Sequence, residues 1–152
     1  MPRYVGPGIY VEDVPSGARP ITAVGTSTAA FLGQAPAPEA APRLPTAIAS
    51  FAEFVRHFAG DAASAAGGSL LANAVAGFFA NGGSLCHVVN LGSAEAPVAP
   101  HDLLLLDAID GISLVAAPGY SDPASHAALI GYCERRGDRF AILDTPAAID
   151  PL

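Results

Sequence analysis

The sequence predicts an α/β fold: a mostly parallel sheet flanked by helices, preceded by an extended N-terminal arm. Three observations carry this. From Leu85 onward, short continuous apolar runs alternate with helical patterns, the arrangement of strands covered on both faces. The segment Gly6 to Ile21 is fenced by proline and glycine ahead of any stretch able to form a core. The 152 residues suffice for one domain of ordinary size with a real core. The expected division is therefore an arm over residues 1–21 and an α/β body over residues 22–152.

Within the arm, Ile9, Tyr10, Val11, Glu12, Asp13 and Val14 lie between Pro7 and Pro15, which favour extended backbone. An isolated strand leaves its N–H and C=O groups unpaired, so this run is expected to be completed by a sheet edge, and in a polymer that edge can belong to a neighbour. These six residues are the candidate inter-subunit contact.

In the body, Val24 to Gly33 reads as the first core strand. Gln34 to Leu44 carries Pro36, Pro38 and Pro42 and reads as a surface loop. Ser50 with Glu53 makes a capping-box signature, and Phe51, Phe54, Val55 and Phe58 follow on one helical face, ending at Gly60. A linker over Gly60 to Gly68 leads to a second helix with Leu71, Ala74, Val75, Phe78 and Phe79 on one face, stopped by Asn81-Gly82-Gly83. Leu85 to Leu91 is a buried strand and Gly92 to Pro100 a loop. His101 to Ile109 reads as a short helix and Ile112 to Ala117 as a strand. Asp122-Pro123 caps and starts a helix that turns Ala127, Ile130 and Cys133 inwards. Arg139 to Asp144 is the last strand, ended by Thr145-Pro146.

Hydrophobic residues make up 51% of the chain and charged ones only 14%, well below an average soluble protein, so self-association or a permanent partner is expected. The net charge of −7 argues against nucleic acid or an anionic membrane as the main partner. The best candidate for a membrane span, Leu103 to Pro118, is broken by Asp107 and Asp110. No apolar leader stands at the N-terminus, so synthesis in the cytosol is expected. Cys86 and Cys133 are expected as buried thiols.

Chemistry is sparse. Ligands of open α/β sheets bind beyond the carboxyl ends of strands, which singles out Asn90, Gly119 and Asp144 for a ligand-binding or enzymatic reading. No second carboxylate or base is tied to Asp144 by a recognisable spacing, so a turn-capping aspartate explains it better. The chain holds no lysine and no glycine-rich phosphate fingerprint. Gly67-Gly68-Ser69 could present N–H groups to an anion, but an N-cap by Ser69 is the simpler reading. Cys86 and His87 are adjacent on a strand and point to opposite faces, so they cannot act as nucleophile and base. The four histidines show no metal-ligand spacing with one another or with the cysteines. The expectation is no catalytic residue, cofactor or metal.

With these residues laid out, the sequence resembles the contractile tail sheath proteins of phages and phage-derived injection systems. The resemblance rests on Pro7 to Gly17, Arg19-Pro20-Ile21, Val24 to Gly33 and Ser50 to Phe54. Further on it rests on Gly77 to Gly83 with Cys86 to Val89, Val115 to Gly119, and Cys133-Glu134 followed by Asp138 to Asp144, all in the family's order. It implies a non-enzymatic subunit that stacks in helical rings around an inner tube, linked by arms that add strands to neighbouring sheets, and that stores energy for contraction. The implied partners are other sheath subunits, the inner tube protein and baseplate or cap proteins, in a phage-like particle that can be released. Family members usually continue well past the position of Leu152. The C-terminal sheath domain is thus expected to be missing, as in a fragment or a short form that caps, regulates or co-assembles with a full-length sheath.

Overall fold

β1 (Ala29–Gly33), β2 (Thr46–Ile48), β3 (Cys86–Asn90), β4 (Leu114–Ala116) and β5 (Phe140–Ile142) form one sheet in the order β2-β3-β1-β4-β5. The computed structural model describes residues 28–60, 69–93 and 95–146. The expected arm, the start of the expected first strand at Val24 to Ser27 and most of the expected linker at 61–68 lie outside the described residues. β1, β3, β4 and β5 run parallel, while β2 pairs antiparallel with β3 in the register Thr46↔Val88, Ala47↔His87, Ile48↔Cys86. The expectation of a mostly parallel sheet thus meets a mixed sheet with one antiparallel edge.

β2 is the element the sequence reading passes over. Thr46-Ala47-Ile48 is too short to show a period, and it becomes a strand because the proline-rich loop before it is pinned to the end of β3, as described below. The helices α1 (Phe51–Phe58), α2 (Leu70–Ala80), α3 (Pro100–Leu104) and α4 (Pro123–Arg136) divide between the two faces. Phe54 and Phe58 of α1 and Leu71, Ala72 and Val75 of α2 pack with Ala29, Phe31, Ile48, Cys86 and Val88. Leu103 of α3 and Leu129, Tyr132 and Cys133 of α4 pack on the other face with Ala30, Leu32, Val89 and Val115.

Caps set the helix starts. Ser50 accepts from the Glu53 N–H (3.2 Å), and the Glu53 carboxylate reaches back to the Ala49 N–H (2.8 Å), one residue earlier than the usual reciprocal bond. Ser69 accepts from the Ala72 N–H (3.3 Å) and donates to the Gln34 carbonyl (2.9 Å), the plain N-cap expected of it. Asp122 accepts from the Ser125 N–H (2.8 Å) ahead of Pro123, and Gly137 closes α4 in the left-handed region at φ 68°.

Two expectations need correction. The helix expected over His101 to Ile109 stops at Leu104 and continues as i→i+3 turns, through Leu106 to Leu103, Asp107 to Leu104 and Ile109 to Leu106. On α4, Cys133 is buried as expected, but Ile130 is 41% exposed and Ala127 is exposed. The inward face instead runs Ser125, Leu129, Tyr132, Cys133, because Tyr132 offers the large ring and its hydroxyl finds partners in the interior.

Candidate assembly surface

The carboxyl ends of the strands are where a ligand site was sought, and their polar atoms are used by the fold itself. Asn90 is fully buried. Its Oδ1 accepts from the N–H groups of Ala35 and Gly92, both at 3.0 Å, and its Nδ2 donates to the carbonyls of Pro38 (2.8 Å) and Ala40 (2.7 Å). Its backbone carbonyl accepts from Arg43 (2.8 Å). One side chain thereby ties the proline-rich loop to the sheet. Arg43 also pairs with the buried carboxylate of Asp102, whose second oxygen accepts from the Ala99 N–H (3.0 Å).

At the neighbouring end, the structure brings Gly119 and Asp144 together. The Gly119 N–H donates to Asp144 Oδ2 (2.7 Å), and His126 Nε2 donates to the Asp144 carbonyl (3.0 Å). Gly119 sits at φ +88° with Leu70 against its α-carbon, a place where a side chain would be both strained and crowded. Asp144 therefore joins the turn after β4 to the end of β5, as a turn-capping aspartate does. Asn90 makes its bonds to a different segment and is not drawn into this pair.

The start of β5 is held from below by a buried charge. Arg139 is 4% exposed, and its Nη1 donates to the Tyr132 hydroxyl (2.7 Å), which in turn donates to Asp107 Oδ1 (3.1 Å). Its Nε donates to Asp138 (2.8 Å), which also takes a bond from Arg136 (3.1 Å). The Arg139 guanidinium, with Arg136 beside it, holds the Asp138 carboxyl down at about 2. Burial pushes the Tyr132 phenol up to about 12, against the pull of Arg139 and with the Asp107 bond adding to it. Every ion pair here fixes where β5 begins.

What β5 then presents is apolar and open. Leu114 pairs with Phe140 and Ala116 with Ile142, so these four side chains share the α1 and α2 face of the sheet. Leu114 and Ala116 sit at the margin of the α1 and α2 core, Ala116 only 8% exposed, whereas Phe140 is 77% exposed and Ile142 48%. A groove of about 330 Å³ runs beside them, floored by Ala29, Phe31 and Leu114, walled by Ala74, Gly77 and Phe78 of α2, and ending at Ile142. Among the described residues β5 pairs with β4 alone, so its outer edge carries unpaired backbone groups. The sequence reading took Arg139 to Asp144 as an ordinary buried strand. The available signal was that α1 and α2 both precede β3, while the helices after it, α3 and α4, fall on the other face.

The remaining candidates fall out simply. Cys86 and His87 do point to opposite faces: Cys86 packs with the α1 and α2 core, and His87 is half-buried on the other side, where burial lowers its imidazole pKa. Burial, with Glu53 adding, pushes the Cys86 thiol up to about 12, and Cys133 is raised as well, so both are unreactive. Among the described residues no group of three or more His, Cys, Asp and Glu is placed to hold a metal ion, and no helix is long and apolar enough to cross a membrane. The contact run Ile9, Tyr10, Val11, Glu12, Asp13 and Val14 lies outside the described residues.

No family model matches the chain, and no curated protein matches it. A solved structure does. The chain is similar in fold to the helical sheath of the anti-feeding prophage in its contracted state, determined by cryo-EM, at 23% identity and a TM-score of 0.50. The likeness covers 99% of this chain and 44% of that one, so this chain spans less than half the length of the sheath subunit it matches.

Proposed function

We propose that this protein is a structural subunit of a contractile, tail-sheath-like assembly, polymerising with other sheath subunits around an inner tube. The observation that carries the reading is the sheath-like fold running through 99% of the chain. It agrees with the motif order seen in the sequence and with a surface whose most exposed feature is an apolar strand edge instead of a polar pocket. In this reading the protein is not an enzyme. Its strand-end groups at Asn90, Gly119 and Asp144 serve the fold, and its work is to hold neighbours while the lattice shortens.

The arm is the proposed linker. Ile9, Tyr10, Val11, Glu12, Asp13 and Val14 add as a strand to a sheet edge of an adjacent subunit, coupling copies through main-chain bonds that survive sliding of the bodies. The inner tube protein and baseplate or cap proteins are the further proposed partners. A cap or regulatory role beside a full-length sheath protein is the second reading that the same fold supports.

Removing residues 1–20 tests this. The truncated protein is expected to keep its circular dichroism spectrum and a cooperative melt and to drop out of sheath particles by tenfold or more in occupancy, read by electron microscopy and quantitative gels. Normal occupancy of the truncated form ends the proposal that the arm links subunits.

A further inference from the structure

The bare apolar face and edge of β5 need an occupant, and the chain's own path points to one. Thr28, the first described residue, precedes the groove-lining Ala29 and is tied to the foot of β4: its carbonyl accepts from the N–H groups of Ser113 (2.9 Å) and Leu114 (3.3 Å). Twenty-seven residues precede it, among them the apolar run Ile9 to Val14. β1 and β5 are two strand spacings apart, about 10 Å. Thirteen residues separate Val14 from Thr28, and a chain of that length is long enough to bridge about 20 Å. The run therefore sees β5 of its own subunit at an effective concentration of about millimolar, which a free second copy at micromolar concentration cannot match.

The chemistry of the two surfaces is complementary. β5 offers unpaired backbone groups and, on one face, Phe140 and Ile142. An extended Ile9 to Val14 offers the same unpaired groups, with Ile9 and Val11 on one side. The low charge of the chain leaves a bare edge with little protection of its own, so a covered edge keeps the free subunit from pairing indiscriminately.

We propose that in the unassembled subunit residues 1–27 close back over this face, with Ile9 to Val14 added as a strand to the outer edge of β5 and its apolar side chains over Phe140, Ile142 and Leu114. The subunit is thus self-capped. Linking a neighbour requires the same strand to let go of its own edge and take the equivalent place on another copy, an exchange of identical contacts between copies. The self-cap concerns the free subunit alone and stands whether or not the arm links copies in the particle.

Hydrogen exchange on the dilute, monomeric full chain tests it, comparing the wild type with the variant Ile9→Asp, Val11→Asp. The expected result is that amides of residues 140–143 exchange about tenfold or more faster in the variant, while those of β1 and β3 are unchanged, so that local opening is read without global unfolding. Equal exchange of β5 in the two proteins overturns the self-cap. A second readout is a cysteine pair, Val11→Cys with Phe140→Cys or with Ile142→Cys, oxidised gently; the native Cys86 and Cys133 are buried and do not compete. A concentration-independent disulfide within one chain supports the proposal. Disulfides that form only between chains, rising with concentration, overturn it in favour of a second copy as occupant. Either failure leaves the truncation test of sheath entry standing, since that test reads the particle and this one the free monomer.

Discussion

On the α1 and α2 face of the sheet, the strands β2, β3 and β1 are closed over by helices and the last strand is left bare. Above β2, β3 and β1, the side chains Ile48, Phe54, Phe58, Leu71 and Val75 are all 1% exposed or less, closed by α1 and α2. Above β4 and β5, on the same face and continuing the same pleat, Phe140 and Ile142 stand at 77% and 48%. The two sheet edges differ in the same sense. β2 is three residues long, follows Pro45 and lies against α1, whereas β5 ends in open apolar surface. The residue types are alike in the two halves, so the difference lies in what is packed on them. Apolar surface left open in this way on a mixed sheet is of the kind that a partner or another stretch of polypeptide covers.

The largest expected effect sharpens that contrast directly. Leu71→Ala, in the covered half, is expected to cost about 2–5 kcal/mol of folding stability through lost burial and the cavity left behind. Phe140→Ala, in the bare half, removes a larger side chain and, in the chain lacking residues 1–20, is expected to change stability by less than about 0.5 kcal/mol, because little of that ring is withdrawn from water by the described residues. Urea denaturation of the two variants reads both numbers. A large loss in Phe140→Ala means that the face is covered by the chain itself, the outcome that the self-cap requires when the arm is present and forbids when residues 1–20 are removed. Running the pair with and without the arm therefore separates the body's own stability from that of the cap.

The second comparison is between the two strand ends singled out for a ligand. Asn90→Ala leaves the Ala35 and Gly92 N–H groups and two loop carbonyls without their partner in a buried place, and is expected to cost about 2–3 kcal/mol and to loosen residues 34–45. Asp144→Ala loses one exposed bond to Gly119 and is expected to cost about 1 kcal/mol or less. Denaturation midpoints of the two variants check the order. A reversal puts the weight of the fold on β5's end and not on β3's.

That contrast also marks what the residues alone could tell. Caps and continuous apolar runs are local signals, so Ser50-Glu53, Ser69, Asp122-Pro123 and the strands around Val88, Val115 and Ala141 were legible as elements. β2 was not, since Thr46-Ala47-Ile48 becomes a strand only after Asn90 pins a loop more than forty residues away in sequence. The inward face of α4 was misread for a related reason: Tyr132 is an interior residue here because Asp107 and Arg139 meet its hydroxyl, and neither partner is visible from the helix's own spacing. The open face at Phe140 was hidden because an apolar strand residue looks the same whether a helix covers it or not.

Acid tests the fold more gently, through a half-buried imidazole on the α3 and α4 face and a carboxylate in the turn before β5. His87 is half-buried and its pKa is lowered from 6.5 by burial, so the unfolded chain takes up a proton more readily than the folded one. Stability is then expected to fall as pH drops below 6.5 towards the lowered folded value, and His87→Gln is expected to flatten that slope. Asp138 is depressed from 3.8 to about 2, so its contribution is present above 3.8 and is lost as pH falls through about 2. The His87 window opens at 6.5 and the Asp138 window only below 3.8, so thermal melts of wild type and His87→Gln at pH values on either side of 5 distinguish them. If the slope between neutral pH and 5 survives in His87→Gln, the imidazole is not its source, and loosening of the sheet's open side on acidification becomes the feature to examine, by exchange at residues 140–143.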